Sequence, residues 1–153
     1  MQQLINHYLA GSDTLSRAVA GMTPEQIHAR PIPGKWSTLE VVCHLGDSEL
    51  IFAERMRRVL IEDEPPLRFF DPDWCVTNLA YADRDVGEEL ELIGVIRRQM
   101  ARILAARPDD IWQRRGIHNQ AGPLTLEQIV RKAVDHLNHH VQTIQEKRTA
   151  LGL

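Results

Sequence analysis

Apolar side chains recur every three to four residues in four long stretches of the chain, which is the spacing of an amphipathic helix. The four stripes are Leu4, Tyr8, Leu15 and Ala18; Val42, Leu45, Phe52, Met56 and Val59; Leu90, Ile93, Ile96, Met100, Ile103 and Leu104; and Leu126, Ile129, Ala133, Leu137 and Ile144. Helices of this kind bury their stripes most economically against one another. The pattern therefore predicts an all-α protein, a four-helix bundle.

Helix-start signals precede three of the stripes, each a side chain that can cap a helix followed three residues later by Glu or Gln. These pairs are Ser37 with Glu40, Asp85 with Glu88, and Thr125 with Gln128. A further capping pattern at residues 23–26, with Pro24 at the first helical position, predicts a short linking helix between the first two long ones.

Two stretches without a sustained period separate the later helices. Residues 63–83 contain three prolines and predict a long connection between the second and third long helices. Because about twenty residues can carry the chain back along a bundle, the third helix is predicted to run parallel to the second. Residues 108–123 predict a second irregular connection, and residues 1–153 together predict a single domain.

Composition and charge limit the kinds of molecule that the chain is expected to bind. The chain has 18 Lys+Arg against 21 Asp+Glu, a net charge of -3, and only 5% aromatic residues, so neither a phosphate-binding surface nor a base-stacking platform is expected. No stretch approaches the roughly 18 apolar residues of a membrane span, and the first residues lack signal-peptide features. We therefore expect no nucleic-acid or membrane partner, a cytoplasmic location, and two cysteines that stay as thiols.

Two histidines interrupt the apolar stripe of the fourth predicted helix. His136 and His140 lie four residues apart on one face, so their ring nitrogens can reach one metal ion, whereas His139 falls on the polar face and is predicted to be solvated. A third imidazole from a facing helix would complete the site. His44, on the second predicted helix, lies on a partly apolar face. The residues alone leave open that these are ordinary core histidines bonded to protein oxygens.

Other polar residues near these positions are candidates for supporting roles. Asp47, one turn after His44, could bind a ligand imidazole or a metal-bound water, and a surface carboxylate is the alternative. Arg114, Arg115 and His118 precede the fourth helix, where a solvated basic loop is favoured over contacts with an anionic substrate. Three large aromatic residues are predicted to close the bundle ends: Trp36, Trp74 and Tyr81.

Two runs carry a family resemblance: residues 33–47, with the sequence PGKWSTLEVVCHLGD, and residues 124–144, which include HLNHH. Together they resemble the DinB/YfiT-like superfamily of metal-dependent proteins, and the resemblance extends over the whole chain in length and helix order. It implies a bundle of up-down-down-up order with a long connection between helices two and three. It also implies a divalent ion, nickel or zinc, held by His44, His136 and His140.

The resemblance also implies a range of activities. Members with assigned reactions are thiol-dependent S-transferases and isomerases, which implies a low-molecular-weight thiol and a small electrophilic substrate. In a metal-dependent hydrolase, the alternative reaction, Asp47 would accept a proton or orient the nucleophile. A non-catalytic metal-binding module for stress response is the third alternative. Members often dimerise through helix faces, and the sequence allows a homodimer without requiring one.

Overall fold

Six α-helices and three short strands make up the structure, a computed structural model that describes all of residues 1–153. The helices are α1 (Gln2–Val19), α2 (Pro24–His28), α3 (Thr38–Ile61), α4 (Pro72–Asn78), α5 (Val86–Ala105) and α6 (Leu126–Ala150). The strands are β1 (Pro66–Leu67), β2 (Arg115–His118) and β3 (Gly122–Thr125). None of the helices combines the length and apolar character needed to cross a bilayer.

The four long helices, α1, α3, α5 and α6, form the predicted bundle. Helices α1 and α3 each pack against both α5 and α6, so α1 and α3 lie on one diagonal of the bundle. One apolar cluster joins the start of α1 (Leu4) to the ends of α3 (Met56) and α5 (Met100) and to the start of α6 (Ile129). The up-down-down-up order is therefore confirmed, and α5 runs parallel to α3 as the long connection predicted.

The predicted capping signals begin the helices where they were expected. The Ser37 hydroxyl accepts a hydrogen bond from the Glu40 backbone N–H at 3.1 Å, and the Glu40 carboxylate accepts one from the Ser37 N–H at 2.7 Å. The Thr125 hydroxyl is bonded in the same way, and the short helix predicted after residue 23 is α2. Since such a cap stabilises a helix by about 1 kcal/mol, these residues fix where α3 and α6 start.

The two connections are more ordered than the sequence indicated, and the expectation of irregular stretches is corrected here. Strand β1 pairs with β2 in parallel and β2 pairs with β3 antiparallel, so one three-stranded sheet ties residues 63–83 to residues 108–123. Strands of two to four residues are too short to show a period. Arg114 in the second connection donates to the carbonyl oxygens of Val59 and Glu62 at the end of α3.

A buried ion pair crosses the middle of the bundle. Arg97 on α5 and Glu49 on α3 are 1% and 3% exposed, and the Arg97 Nη2 atom lies 2.8 Å from a Glu49 carboxylate oxygen. Arg97 also donates to the carbonyl oxygens of Tyr8 on α1 and Ala133 on α6, at 2.8 and 3.0 Å, and the Tyr8 hydroxyl donates to Glu49. A Cβ at Gly11 would overlap the Arg97 guanidinium, which explains a glycine inside α1. This network connects all four long helices.

Candidate metal centre

Three histidines from two helices meet in the bundle. Helix α6 presents His136 and His140 one turn apart, and the antiparallel neighbour α3 presents His44 against them. Their ring centroids are 4.7 to 4.9 Å apart, and one ring nitrogen from each lies within 4.8 Å of the others. The structure thus brings together all three residues proposed as ligands, while His139 faces solvent as predicted.

Burial keeps these imidazoles neutral. Burial, with a smaller contribution from the neighbouring histidines, lowers the pKa of His136 to about 4 and that of His140 to about 3. Burial also lowers the pKa of His44, although the negative charge of Asp47 opposes that shift. A metal ion binds the neutral form of histidine, so the three side chains are in the protonation state of ligands at neutral pH.

The donor atoms are not bonded to protein oxygens. The Nε2 atoms of His44 and His136 face each other at 3.0 Å, and the buried Nδ1 atom of His140 has no hydrogen-bond partner. Leaving a buried nitrogen such as His140 Nδ1 without a partner costs about 1–3 kcal/mol. A cation shared by three neutral imidazoles is consistent with this arrangement, whereas core histidines bonded to backbone carbonyls are not what the structure contains.

A cavity of about 380 Å³ opens beside the histidines, which is within the range of small-molecule sites. Its walls are partly aromatic: the Trp36 ring lies 5.1 Å from that of His44, and the Phe52 ring 5.8 Å from that of His136. Trp36 therefore forms a cavity wall rather than an end plug. Trp74, also predicted as an end plug, is 70% exposed, and that prediction was wrong.

Asp47 lies in the cavity wall, and hydrogen bonds from Tyr81 and Arg84 fix the position of its carboxylate. The Tyr81 hydroxyl donates to Asp47 Oδ2 at 2.6 Å, and Arg84 donates to Oδ1 at 3.1 Å. Arg84 is itself paired with Glu89 on α5. Asp47 makes no hydrogen bond to His44, so the predicted support of a ligand imidazole is not observed. Sequence reasoning missed Arg84 and Glu89 because they lie 37 and 42 residues from Asp47 and share no local pattern with it.

One further histidine enters the cavity from a region that the sequence left undefined. His118, favoured above as a loop histidine, lies at the end of β2 and lines the cavity together with Arg55 of α3. Arg114 and Arg115 lie elsewhere, since Arg114 binds the end of α3 and Arg115 pairs with Glu64. Of the three basic residues before α6, Arg114 and Arg115 therefore bind other parts of the chain, and only His118 lines the cavity.

The two cysteines are free thiols, as expected. Cys75 lines the cavity. Cys43 lies next to His44 in sequence but is buried on another face of α3, and burial raises the pKa of its thiol to about 12. A joint Cys43 and His44 ligand pair is therefore not formed.

Comparisons with known proteins agree with this fold. The sequence profile of the DinB superfamily matches residues 7–144. A Bacillus subtilis protein named "Putative metal-dependent hydrolase YfiT" is 27% identical over 139 residues, covering 90% of this chain and 78% of that protein. A Bacillus licheniformis protein with the same description is 27% identical over 141 residues, covering 90% and 79%. The solved structure of YfiT, described as an unusual four-helix bundle, superposes with a TM-score of 0.92 at 25% identity and covers 98% of this chain and 86% of that one.

Proposed function

The chain belongs to the DinB superfamily, and from this membership and its histidine cluster we propose that it is a divalent-metal-dependent enzyme acting on a small molecule. The observation that carries the proposal is the set of three neutral imidazoles, unbonded to protein oxygen, at the wall of an open cavity. In this proposal His44, His136 and His140 would hold the ion, and a site with three protein ligands typically keeps a position for water or substrate.

A zinc or nickel ion at such a site would supply a Lewis acid that lowers the pKa of a bound thiol or water. The aromatic side chains beside the histidines would hold the apolar part of a substrate. Asp47, fixed by Tyr81 and Arg84, would place a negative charge at a constant position near the reacting atoms.

Thiol transfer is the reaction we favour. Both carboxylate oxygens of Asp47 already accept hydrogen bonds from Tyr81 and Arg84, so less of this carboxylate is free to take a proton from water. A thiol, with an ordinary pKa near 8.5, needs less assistance to ionise. The thiol would lose its proton to solvent, its sulfur would form a bond to an electrophilic carbon of the substrate, and the leaving group would depart with the bonding electron pair.

Metal-dependent hydrolysis is the second candidate, and the descriptions of the two Bacillus relatives favour it. In that reaction water replaces the thiol, and Asp47 would accept its proton. The two reactions differ in whether consumption of the electrophile requires a thiol.

The ligand assignment is tested by elemental analysis of protein purified without a metal-affinity tag. We expect about one divalent ion per chain in the wild type and in the control His139→Ala, whose side chain is exposed on the same helix. We expect almost none in His136→Ala. Equal metal content in the two variants would reject the assignment.

The reaction is tested by incubating metal-loaded protein with a model electrophile, with and without a thiol. Thiol-dependent loss of the electrophile supports transfer, and equal loss without thiol supports hydrolysis. Stoichiometric metal with no turnover of either kind would favour a non-catalytic metal-binding module.

A further inference from the structure

A pair of hydrogen-bond donors faces the same space in the cavity wall. The Nη2 atom of Arg55 lies 3.4 Å from the Nε2 atom of His118. The other ring nitrogen of His118, Nδ1, accepts hydrogen bonds from the backbone N–H groups of Gln120 and Ala121, at 3.2 and 3.1 Å. Because Nδ1 is an acceptor and an imidazole carries at least one proton, the proton of His118 resides on Nε2.

This assignment makes the contact between Arg55 and His118 a meeting of two donors. A guanidinium has no acceptor atom, so neither group can satisfy the other. The two N–H groups are instead placed to donate to an acceptor that lies against both of them. A group with two oxygens in one plane matches such a pair, as in the bidentate recognition of carboxylates by arginine.

Arg55 also lacks a partner of opposite charge. The other arginines that reach inward are paired with carboxylates, Arg97 with Glu49 and Arg84 with Asp47 and Glu89, but Arg55 forms no salt bridge. Its Nε atom is buried without a hydrogen-bond partner, and burial lowers its pKa. Its hydrogen bond to the Arg68 carbonyl oxygen does not neutralise the charge. A half-buried, uncompensated guanidinium is costly unless an anion binds there.

We propose that Arg55 and His118 bind a carboxylate of the substrate, in the same cavity as His44, His136 and His140. This inference rests on the proposed function and specifies its substrate class, a small molecule that carries a carboxylate next to an apolar group. The apolar group would contact Phe52, over whose ring the Arg55 guanidinium lies at 5.8 Å.

A single negative charge fits this subsite better than two. Burial and the positive charges of Arg55 and Lys132 lower the pKa of His118, which is therefore neutral at pH 7. Arg55 then supplies the one positive charge within hydrogen-bond distance of His118, enough to neutralise a carboxylate. A phosphate dianion would leave about one charge uncompensated in a partly desolvated site.

The test measures binding of phenylacetate, phenylacetamide and phenyl phosphate to residues 1–153 by isothermal titration, with the metal content determined in each sample. We expect phenylacetate to bind wild-type protein about tenfold more tightly than its amide, the ratio that one charge-assisted hydrogen bond supplies. Arg55→Gln and His118→Phe should each reduce this preference to less than about threefold at unchanged metal content. The control Arg57→Gln, on an exposed arginine outside the cavity, should keep it.

Two outcomes would overturn the carboxylate subsite. One is an equal affinity of the wild type for acid and amide, or a preference that survives in both Arg55→Gln and His118→Phe. The other is tighter binding of phenyl phosphate than of phenylacetate. The metal content reports separately on the proposed function: a wild type without metal that keeps the Arg55-dependent preference would contradict the metal site and support the subsite.

Discussion

The substitution Arg97→Met removes one partner of the buried ion pair while keeping most of the apolar volume of the side chain. Arg97 is 1% exposed and donates to Glu49, to the Tyr8 carbonyl oxygen and to the Ala133 carbonyl oxygen. The substitution leaves the Glu49 carboxylate in the core with only the Tyr8 hydroxyl as a partner. Breaking a buried pair from one side typically costs about 3–5 kcal/mol.

The structure places this substitution within that range. Glu49 is 3% exposed, so water cannot replace the lost guanidinium without opening the bundle. The carbonyl oxygens of Tyr8 and Ala133 are in helices α1 and α6 and keep their helical hydrogen bonds. Losing the two hydrogen bonds from Arg97 to these oxygens therefore adds little to the destabilisation. We expect a loss of about 4 kcal/mol in the free energy of unfolding, a large share of the roughly 5–15 kcal/mol typical of a domain.

Urea denaturation followed by circular dichroism at 222 nm measures the effect. The matched control is Arg98→Met, because Arg98 is exposed on the same helix and should change stability by less than about 0.5 kcal/mol. The combined variant Tyr8→Phe, Glu49→Leu, Arg97→Met removes the whole network and should be more stable than Arg97→Met alone. A loss below about 1 kcal/mol in the single variant, or a still larger loss in the combined one, would refute this account of the core.

Three further predictions concern protonation, reactivity and metal. Below pH 6.5 the unfolded chain protonates its histidines, whereas His136 and His140 stay neutral in the folded protein because burial lowers their pKa values to about 4 and about 3. The metal-free protein should therefore lose up to about 1.4 kcal/mol per pH unit for each of them between pH 6.5 and about 4; denaturation curves that do not change over this range in the wild type would contradict it. With Ellman's reagent, one thiol per chain should react rapidly in folded protein, that of Cys75 at the cavity, while the buried Cys43 should react only on unfolding; Cys75→Ser serves as the control. Removal of metal with a chelator should lower the free energy of unfolding by about 2.7 kcal/mol relative to protein at a free metal concentration 100 times the dissociation constant, and an unchanged melting temperature would argue against binding to the folded state.

The sequence predicted the parts of the fold that depend on neighbours within a few turns. The periodic stripes and the capping pairs at Ser37 and Thr125 are local signals, and they located α3 and α6 closely. The spacing of His136 and His140 is local in the same sense. The place of His44 could be inferred only through the family resemblance, because its partner His136 lies 92 residues away.

The features that were missed depend on pairing between distant segments. The register that sets Leu67 opposite His118 joins residues 51 positions apart, and no periodicity can appear in strands this short. Because that pairing determines where His118 points, the contact between Arg55 and His118 could not be predicted from the sequence. Arg84 likewise reaches Asp47 only after the chain has returned along the bundle.

The proposed metal ligands and much of the cavity wall lie on different parts of the fold, which allows the substrate specificity to be changed without changing the ligands. His44, His136 and His140 are carried by two antiparallel helices, whereas much of the opposite wall comes from the segments joined by β1 and β2. Residues 65–81 and 115–125 could be exchanged together between homologous chains. The resulting variants would differ in substrate specificity and share the three histidine ligands. Natural sequence divergence in the same two segments would let paralogues acquire new substrates while they keep the same metal ligands.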